Sequence, residues 1–294
     1  MTSITDIDGK SFMYTDLATA NTIGPIYNME AMNAAGLEIP TTWTEVLAFC
    51  DDANAAGKVP FALGAQTQWV TQLVTYALAG TLVYGEDPEF DTKQLAGDAT
   101  FQDSNWLKAL DQYKEMFDKK CFNQDALGTS VENQSIMVGE GKALAAVQIS
   151  TIGSQMVAAN PEETLKQAPL PATDDAAETR LPLGLGVGWG VNAKANNLEG
   201  GLAFLEYLNT PEASKLTANI YGLSPNGGDV ETSEINELEI PLVEENRTVP
   251  FMDVTWPSAK VQNLHFTGVQ ELLAGSKTPA QVLTEMQDAY TDAL

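Results

Sequence analysis

Basic residues are scarce in this chain of 294 residues, in which 15 lysines and arginines stand against 40 aspartates and glutamates. The formal net charge is therefore −25 at pH 7. Because so negative a surface repels phosphate backbones and anionic lipid headgroups, binding to nucleic acid or to anionic membranes is disfavoured. We interpret the acidic surface mainly as a means of keeping the protein in solution.

Long hydrophobic runs are also missing, since no apolar stretch approaches the roughly 20 residues that a transmembrane helix needs. The opening sequence, "MTSITDIDGKSF", has neither the basic nor the apolar region of a signal peptide. Hydrophobic residues make up 44% of the chain and charged residues 19%, which is typical of a globular protein. Short apolar strands alternate with amphipathic helices, and this order predicts an α/β fold.

The chain has only two cysteines and one histidine. A zinc site is therefore not expected, and the composition alone fits equally well a Cys50–Cys121 disulfide or two buried thiols. His265 would have to serve any Ser-His-Asp or Cys-His site, but no partner motif accompanies it, so it is interpreted as a core or helix-surface residue. Paired carboxylates of a glycosidase remain an alternative, although 40 acidic residues make chance pairs inevitable.

Several helices have clear boundaries in the sequence. "TTWTEVLAFCDDANAAGK" predicts a helix with Thr42 as N-cap, Glu45 in the capping-box position and Gly57 at its end. "VPFALG" predicts a short buried strand, and "TQWVTQLVTYALAG" predicts an apolar helix that ends at Gly80. "SNWLKALDQYKEMFDKK" predicts an amphipathic helix, and two further helices separated by Gly275 close the chain.

The glycine run "GLGVGWGVNA" contains G-x-G-x-x-A, the loose form of a dinucleotide-binding fingerprint. A nucleotide site would need a helix that opens directly after the glycines, whereas the next helical pattern starts only near Leu198. We therefore expect a strand. Its glycines either let another backbone approach closely or belong to a crossing strand that presents Trp189 to a cleft.

The five tryptophans fall into two groups. Trp43 and Trp106 start amphipathic helices and are predicted to pack in the core. Trp69, Trp189 and Trp256 lie at junctions among Gly, Gln, Thr or Pro, where an aromatic face is available to stack on a sugar ring. The alternative for each of these three is a buried packing residue.

Several stretches together resemble family 1 extracellular solute-binding proteins of ABC transporters, which include the maltose-binding protein. The likeness runs in order over essentially the whole chain. It comprises an Asp-Gly-Lys strand start, a Tyr-Asn pair, a helix ending in Ala-Gly-Leu and a Pro-x-Thr-Trp-x-Glu motif, followed by three later segments. These are Asp8-Gly9-Lys10, Tyr27-Asn28, Ala35-Gly36-Leu37, Pro40 to Glu45, "MVGEGKALAAVQIS", "LEGGLAFLEYLNTPEASKLT" and "LLAGSKTPAQVLTEMQDAYTDAL".

The resemblance implies a two-lobed periplasmic-binding-protein type II fold. Members of the family normally carry roughly 100 further residues, the size of an ordinary domain, before the Asp-Gly-Lys strand. We therefore expect an incomplete first lobe, with 1–24 as its remnant and first hinge crossing and 191–247 as its later insertion. The second lobe would be 25–183, covered by C-terminal helices in 251–294. The chain would cross between lobes near Asp16–Pro25, Leu183–Asn192 and Asn246–Pro257.

The resemblance also implies where a ligand would bind. Asn21 falls at a polar ligand contact of the family, and Ser150 and Thr151 fall where maltose-binding relatives carry a stacking tryptophan. This departure speaks against maltodextrin as the ligand. The expected ligand-binding residues are Asn21, Gln66, Gln68, Trp69, Ser150, Trp189 and Trp256.

The implied function is that of an extracellular substrate-binding component that delivers a carbohydrate to an ABC permease, without catalysis, cofactor or metal. The protein would be an anchored lipoprotein or periplasmic, and a first-lobe segment would be a further partner. Alternatives are a binding protein for a polyol or glycerol phosphate, and a glycosidase. In an exported protein of this family, Cys50 and Cys121 would lie in the same lobe, so a disulfide is predicted between them.

Overall fold

A computed structural model describes residues 6–7, 10–11, 13–15, 20–185, 188–213, 215–216 and 234–294. Parts of two expected lobe crossings, residues 16–19 and 186–187, lie outside these residues.

A six-stranded mixed sheet forms the centre of the molecule. The strands of the chain are β1 Asp6–Ile7, β2 Lys10–Ser11, β3 Tyr14–Thr15, β4 Ala20–Asn28, β5 Val59–Phe61, β6 Ala143–Ile149, β7 Leu165–Gln167, β8 Leu181–Leu185, β9 Gly188–Trp189 and β10 Thr248–Pro250. The order in the central sheet is β10-β8-β4-β6-β5, with β7 paired to β4. Strand β6 runs antiparallel to β4 and parallel to β5, while β8 is antiparallel to β4 and parallel to β10. Two small strand pairs, β1–β2 and β3–β9, lie outside this sheet.

Helices cover both faces of the sheet, because neighbouring sheet residues belong to two different apolar clusters. Tyr27 belongs to the larger cluster, together with residues of the helices Trp43–Ala55, Thr71–Ala79 and Trp106–Asp118. Ile26 belongs to the smaller cluster, together with residues of the helices Val131–Gly139 and Gly153–Ala159. The α/β class expected from the sequence is therefore confirmed. The helices are α1 Met29–Ala35, α2 Trp43–Ala55, α3 Thr71–Ala79, α4 Phe90–Ala96, α5 Trp106–Asp118, α6 Val131–Gly139, α7 Gly153–Ala159, α8 Leu198–Leu208, α9 Ile240–Glu244, α10 Ala259–Leu273 and α11 Pro279–Thr291.

Local sequence signals fixed several boundaries correctly. The capping box at α2 is present, since the Thr42 side chain accepts from the Glu45 backbone N–H and Glu45 reaches back to the Thr42 backbone. Gly275 follows α10 with a φ of 76°, a left-handed conformation that glycine adopts without strain.

The predicted end of α3 at Gly80 is wrong, because the chain continues as a π-helical turn over Gly80–Gly85. Gly80 keeps helical dihedrals and serves packing instead of termination. A Cβ at this position would lie 3.1 Å from Pro182 Cγ and 3.3 Å from a methyl carbon of Val249. Glycine therefore lets the helix approach β8 and β10 closely.

The larger apolar cluster joins the sheet to α10 and α11 at the C-terminal end of the chain. Trp106, at the start of α5, is fully buried in it, as its position on an amphipathic helix predicts. Cys50 and Cys121 form a disulfide in the same cluster, with Cα atoms 5.0 Å apart.

Helix α8 is an exception to this burial. It is strongly apolar, yet none of its eleven residues is buried. Leu202 and Phe204 are each 49% exposed, and Leu198 and Tyr207 are exposed as well. Apolar side chains at such spacing normally face a packed layer.

Candidate functional site

Most of the candidate residues lie at one edge of the central sheet. Strands β5 and β6 are parallel, so the segments that follow them leave the sheet on the same side. Because β4 is antiparallel to β6, its start lies at that edge, and the Ala20–Leu185 pairing brings the end of β8 there too. Ligands of open α/β sheets commonly bind beyond such strand ends.

Asn21 and Ser150 meet directly at this edge. The Ser150 hydroxyl donates to the Asn21 side-chain oxygen at 3.4 Å, and the Thr151 backbone N–H lies 3.4 Å from the same oxygen. Both side chains are buried, at 6% and 7% exposure. The structure thus brings together two residues that are 129 positions apart in sequence.

The segment after β5 carries Gln66, Gln68 and Trp69. The two glutamine side chains are exposed, and Trp69 is half-buried against both apolar clusters. Backbone bonds hold the segment, since the Gln66 N–H donates to Thr129 O at 3.1 Å. An exposed amide pair beside a half-buried indole offers hydrogen bonds and an aromatic face to a ligand.

Trp189 lies on β9, which pairs with β3 through the Tyr14–Trp189 register. Its ring is half-buried and packs edge-to-face on Phe204 of α8, with the ring centroids 6.2 Å apart. The glycine run before it has a packing role as well, because a Cβ at Gly184 would lie 2.6 Å from the Phe251 ring.

Trp256 has a different environment from the other candidates. It is 8% exposed and packs on Tyr76, Phe101 and Trp106 within the larger apolar cluster. This burial favours a packing role, so we do not expect Trp256 to contact a ligand.

His265 lies in the same aromatic group, stacked on Tyr76 with an interplanar angle of 9°. It is fully buried, and desolvation lowers the pKa of the imidazole to about 3. The ring is therefore neutral at physiological pH. Of the two interpretations of His265, the core residue is the correct one.

The three expected lobe crossings are neighbours in the sheet. Strands β4 and β8 overlap the first two crossings and β10 lies within the third. The register joins Thr22 to Leu183 and Leu183 to Pro250. Domain hinges absorb their change in dihedral angles in a few loop or element-terminal residues, and adjacent crossings would place those residues close together.

A buried polar group behind Asn21 was not foreseen from the sequence. Thr22 donates its hydroxyl to Glu239 Oε2 at 2.7 Å, and Asn236 donates to the same oxygen at 2.8 Å. Gln167 accepts from Asn236 at 3.1 Å. The position of Thr22 next to Asn21 was the one available signal, because Glu239 stands in an acidic stretch without a distinctive pattern.

Two cavities of the described residues lie away from these candidate residues. One of about 660 Å³ is lined by residues of 82–105, among them Glu86, Asp87 and Lys93. A second, of about 390 Å³, is an apolar groove that includes Pro169, Leu238 and Leu242.

The sequence of residues 4–215 matches the family described as bacterial extracellular solute-binding protein. The chain belongs to this family. The resemblance drawn from the motifs is therefore confirmed, and with it the expectation of a binding protein in place of an enzyme. No curated protein is detectably similar to the chain in sequence.

Solved structures of the same fold include a sugar transporter protein of Bacillus licheniformis in complex with stachyose. It has a TM-score of 0.82 and 21% identity, with 99% of this chain and 76% of that chain covered. A chitin oligosaccharide binding protein has a TM-score of 0.84 and 22% identity, with 100% and 74% covered. The protein RafE in complex with raffinose has a TM-score of 0.79 and 16% identity, with 98% and 74% covered.

At these identities the structural likeness establishes the fold, which is the expected periplasmic-binding-protein type II architecture. Among the helices of the described residues, none combines the length and apolar character of a membrane span.

Proposed function

We propose that this solute-binding protein binds a carbohydrate at the edge of the sheet where β4 begins and β5, β6 and β8 end. The observation that carries the proposal is the direct contact of Asn21 with Ser150 there, in the part of the sheet where β4, β8 and β10 are successive strands. We propose as further contacts Gln66, Gln68 and Trp69, which follow β5, and Trp189, which follows β8.

The chemistry of these side chains suits a neutral polyhydroxy ligand. Amides and hydroxyls pair with sugar hydroxyls, which both donate and accept, while an indole stacks on the apolar C–H face of the ring. None of the six side chains carries a charge, so they offer no ion pair to a phosphate group. The complexes of related structures with stachyose and raffinose support a carbohydrate ligand.

The biological role that follows is delivery of the bound sugar to an ABC permease from outside the cytoplasmic membrane. The family description, extracellular solute-binding protein, supports this location, and a lipid anchor or a periplasmic form would each be compatible with it. Residues 25–183 and 251–294 would form the second lobe, and 1–24 and 191–247 would belong to the first.

We further propose that the apolar face of α8 docks on a first-lobe segment. The absence of any buried residue in α8 supports this assignment, because an apolar helix of eleven residues gains stability chiefly from packing. This first-lobe segment would pack over Leu202 and Phe204 and form the side of the cleft that faces Asn21.

A thermal-shift panel of raffinose, stachyose, chitin oligosaccharides, maltose and glycerol phosphate tests the function. We expect a neutral sugar to raise the melting temperature and glycerol phosphate to leave it unchanged. A reducing-sugar assay on the same mixtures should detect no product. Stabilisation by glycerol phosphate alone, or release of reducing sugar, would contradict the proposal.

A further inference from the structure

Glu239 is a buried carboxyl with one oxygen satisfied and the other not. It is 2% exposed, and its Oε2 accepts from Thr22 and Asn236. Its Oε1 is buried without a hydrogen-bond partner among the residues that the structure describes. An ionised carboxylate in such a place loses its hydration, and hydrogen bonds to one of its two oxygens replace only part of the lost interactions. Burial therefore favours the protonated form of Glu239.

Glu239 ends a 3-10 segment, Glu234–Glu239, which we call the Glu239 segment. Ile235 of this segment packs against the smaller apolar cluster and lies close to Gly153 at the start of α7. Asn236 ties it to β7 through Gln167. The segment is therefore docked on the sheet by apolar contacts and by the polar group around the carboxyl.

A chain of hydrogen bonds joins Glu239 to the proposed sugar contacts. Thr22 donates its hydroxyl to Glu239, and its backbone N–H donates to Ser150 Oγ at 3.3 Å. Ser150 then donates to Asn21 at 3.4 Å. These hydrogen bonds connect Glu239 to Ser150 and Asn21, which it does not contact directly.

Few charged groups surround the carboxyl. On β7, Lys166 pairs with the exposed Glu237 at 2.5 Å, so its charge is already compensated. On β4, the one ionisable group is Tyr27, whose pKa is raised far above its ordinary value by burial. Strands β6 and β8 carry no ionisable side chain in their sequences. The remaining acidic residues of the Glu239 segment and of α9 are Glu234, Glu237 and Glu244.

We propose that Glu239 is a positioning residue of the sugar site, which in its protonated form holds the Glu239 segment against β4 and thereby fixes Thr22, Ser150 and Asn21. Burial raises the pKa of Glu239 from 4.5 to about 7. Because the docked form holds the proton more tightly than the undocked form, docking is most stable below pH 4.5. It weakens as the pH rises to about 7 and changes no further above that. The link to sugar binding rests on the function proposed above.

Amide hydrogen exchange of the intact protein between pH 5 and 8 tests docking without any sugar. After correction for the intrinsic exchange rate, protection of the Glu239 segment should fall by up to about tenfold per pH unit to pH 7 and then level off. Glu239→Gln, which cannot ionise, should abolish this dependence. Glu237→Gln, on the same segment but exposed, should retain it. Equal pH dependence in Glu239→Gln and the wild type would overturn the proposal.

Calorimetric titration with raffinose at pH 5.5 and 8 tests the link to the site. Wild type should bind raffinose several-fold more weakly at pH 8 than at pH 5.5. The apparent affinity falls because a smaller fraction of the protein then has the Glu239 segment docked and is competent to bind. Thr22→Val removes the connecting hydroxyl and should make the affinity independent of pH, while the exchange profile of the segment keeps its pH dependence. An unchanged pH dependence of affinity in Thr22→Val would overturn the positioning role.

The two assays separate failure of this inference from failure of the proposed function. If wild type binds no sugar of the panel at any pH, the proposed function fails, and the exchange experiment still decides whether Glu239 controls docking. If wild type binds with the same affinity at both pH values while the exchange profile changes, the positioning role fails and the proposed function stands.

Discussion

Helices α3 and α8 are both apolar, yet they differ completely in burial. Eight of the nine residues of α3 are buried against the sheet, α5 and α10, whereas none of the eleven residues of α8 is buried. The apolar side chains of a helix normally pack against a neighbouring layer of secondary structure. The described structure provides such a layer for α3 and not for α8. The body around α3 contains its own core, while α8 presents Leu202 and Phe204 to solvent.

The largest expected effect lies in the body around α3. Trp106→Ala removes a fully buried indole that packs on Tyr76, Phe101 and Trp256. We expect a loss of about 3–5 kcal/mol in the free energy of unfolding, because the cavity is too large to refill. Urea denaturation measures it. Trp43→Ala, at the half-buried first turn of α2, is the control and should cost clearly less.

The disulfide should contribute the next largest effect in the same body. Cys50 and Cys121 are 71 positions apart, so their bond closes a long loop of the unfolded chain. Replacing both by alanine should cost about 2–4 kcal/mol in the free energy of unfolding. Thiol titration of the unreduced, denatured protein should find no free thiol. Two titratable thiols would contradict the disulfide and with it the prediction made from the family resemblance.

The smallest change in stability is expected on α8. Leu202→Glu alters a side chain that is 49% exposed, so the free energy of unfolding should change by less than about 0.5 kcal/mol. Association should respond instead, because exposed apolar patches drive self-assembly. Light scattering should show concentration-dependent association of the wild type that Leu202→Glu reduces.

The matched control for α8 is Leu95→Glu, on α4 of the body, where the leucine is 63% exposed. It introduces the same charge at a comparable exposed position and should leave association unchanged. Limited proteolysis should cut first within 191–247. A monodisperse wild type with uniform protease resistance would show that α8 needs no partner.

The sequence predicted those parts of the fold that depend on local signals. The capping box of α2, the glycines after α1 and α10 and the burial of Trp106 all follow from residues close in the chain. The continuation of α3 through Gly80 could not be predicted, since it depends on Pro182 and Val249 packing against that glycine from distant strands.

The candidate site, too, could be predicted from the sequence only in part. The family resemblance selected Asn21 and Ser150, and the structure brings them into contact. It did not separate Trp189, half-buried beside α8, from Trp256, buried among aromatic rings, because both lie at similar junctions in sequence. Glu239 was missed because its importance arises from burial next to Thr22, which no local pattern reports.

The central claim, that this protein binds a sugar at the sheet edge, is tested most directly by calorimetric titration with raffinose or with the panel sugar that gives the largest thermal shift. We expect wild type to bind and Trp189→Ala to bind about 1–3 kcal/mol more weakly, the loss typical of an aromatic anchor. Trp43→Ala, on α2 and outside the segments that carry the proposed contacts, should bind as wild type does. No binding of any panel sugar by wild type, or equal affinities for wild type and Trp189→Ala, would contradict the account.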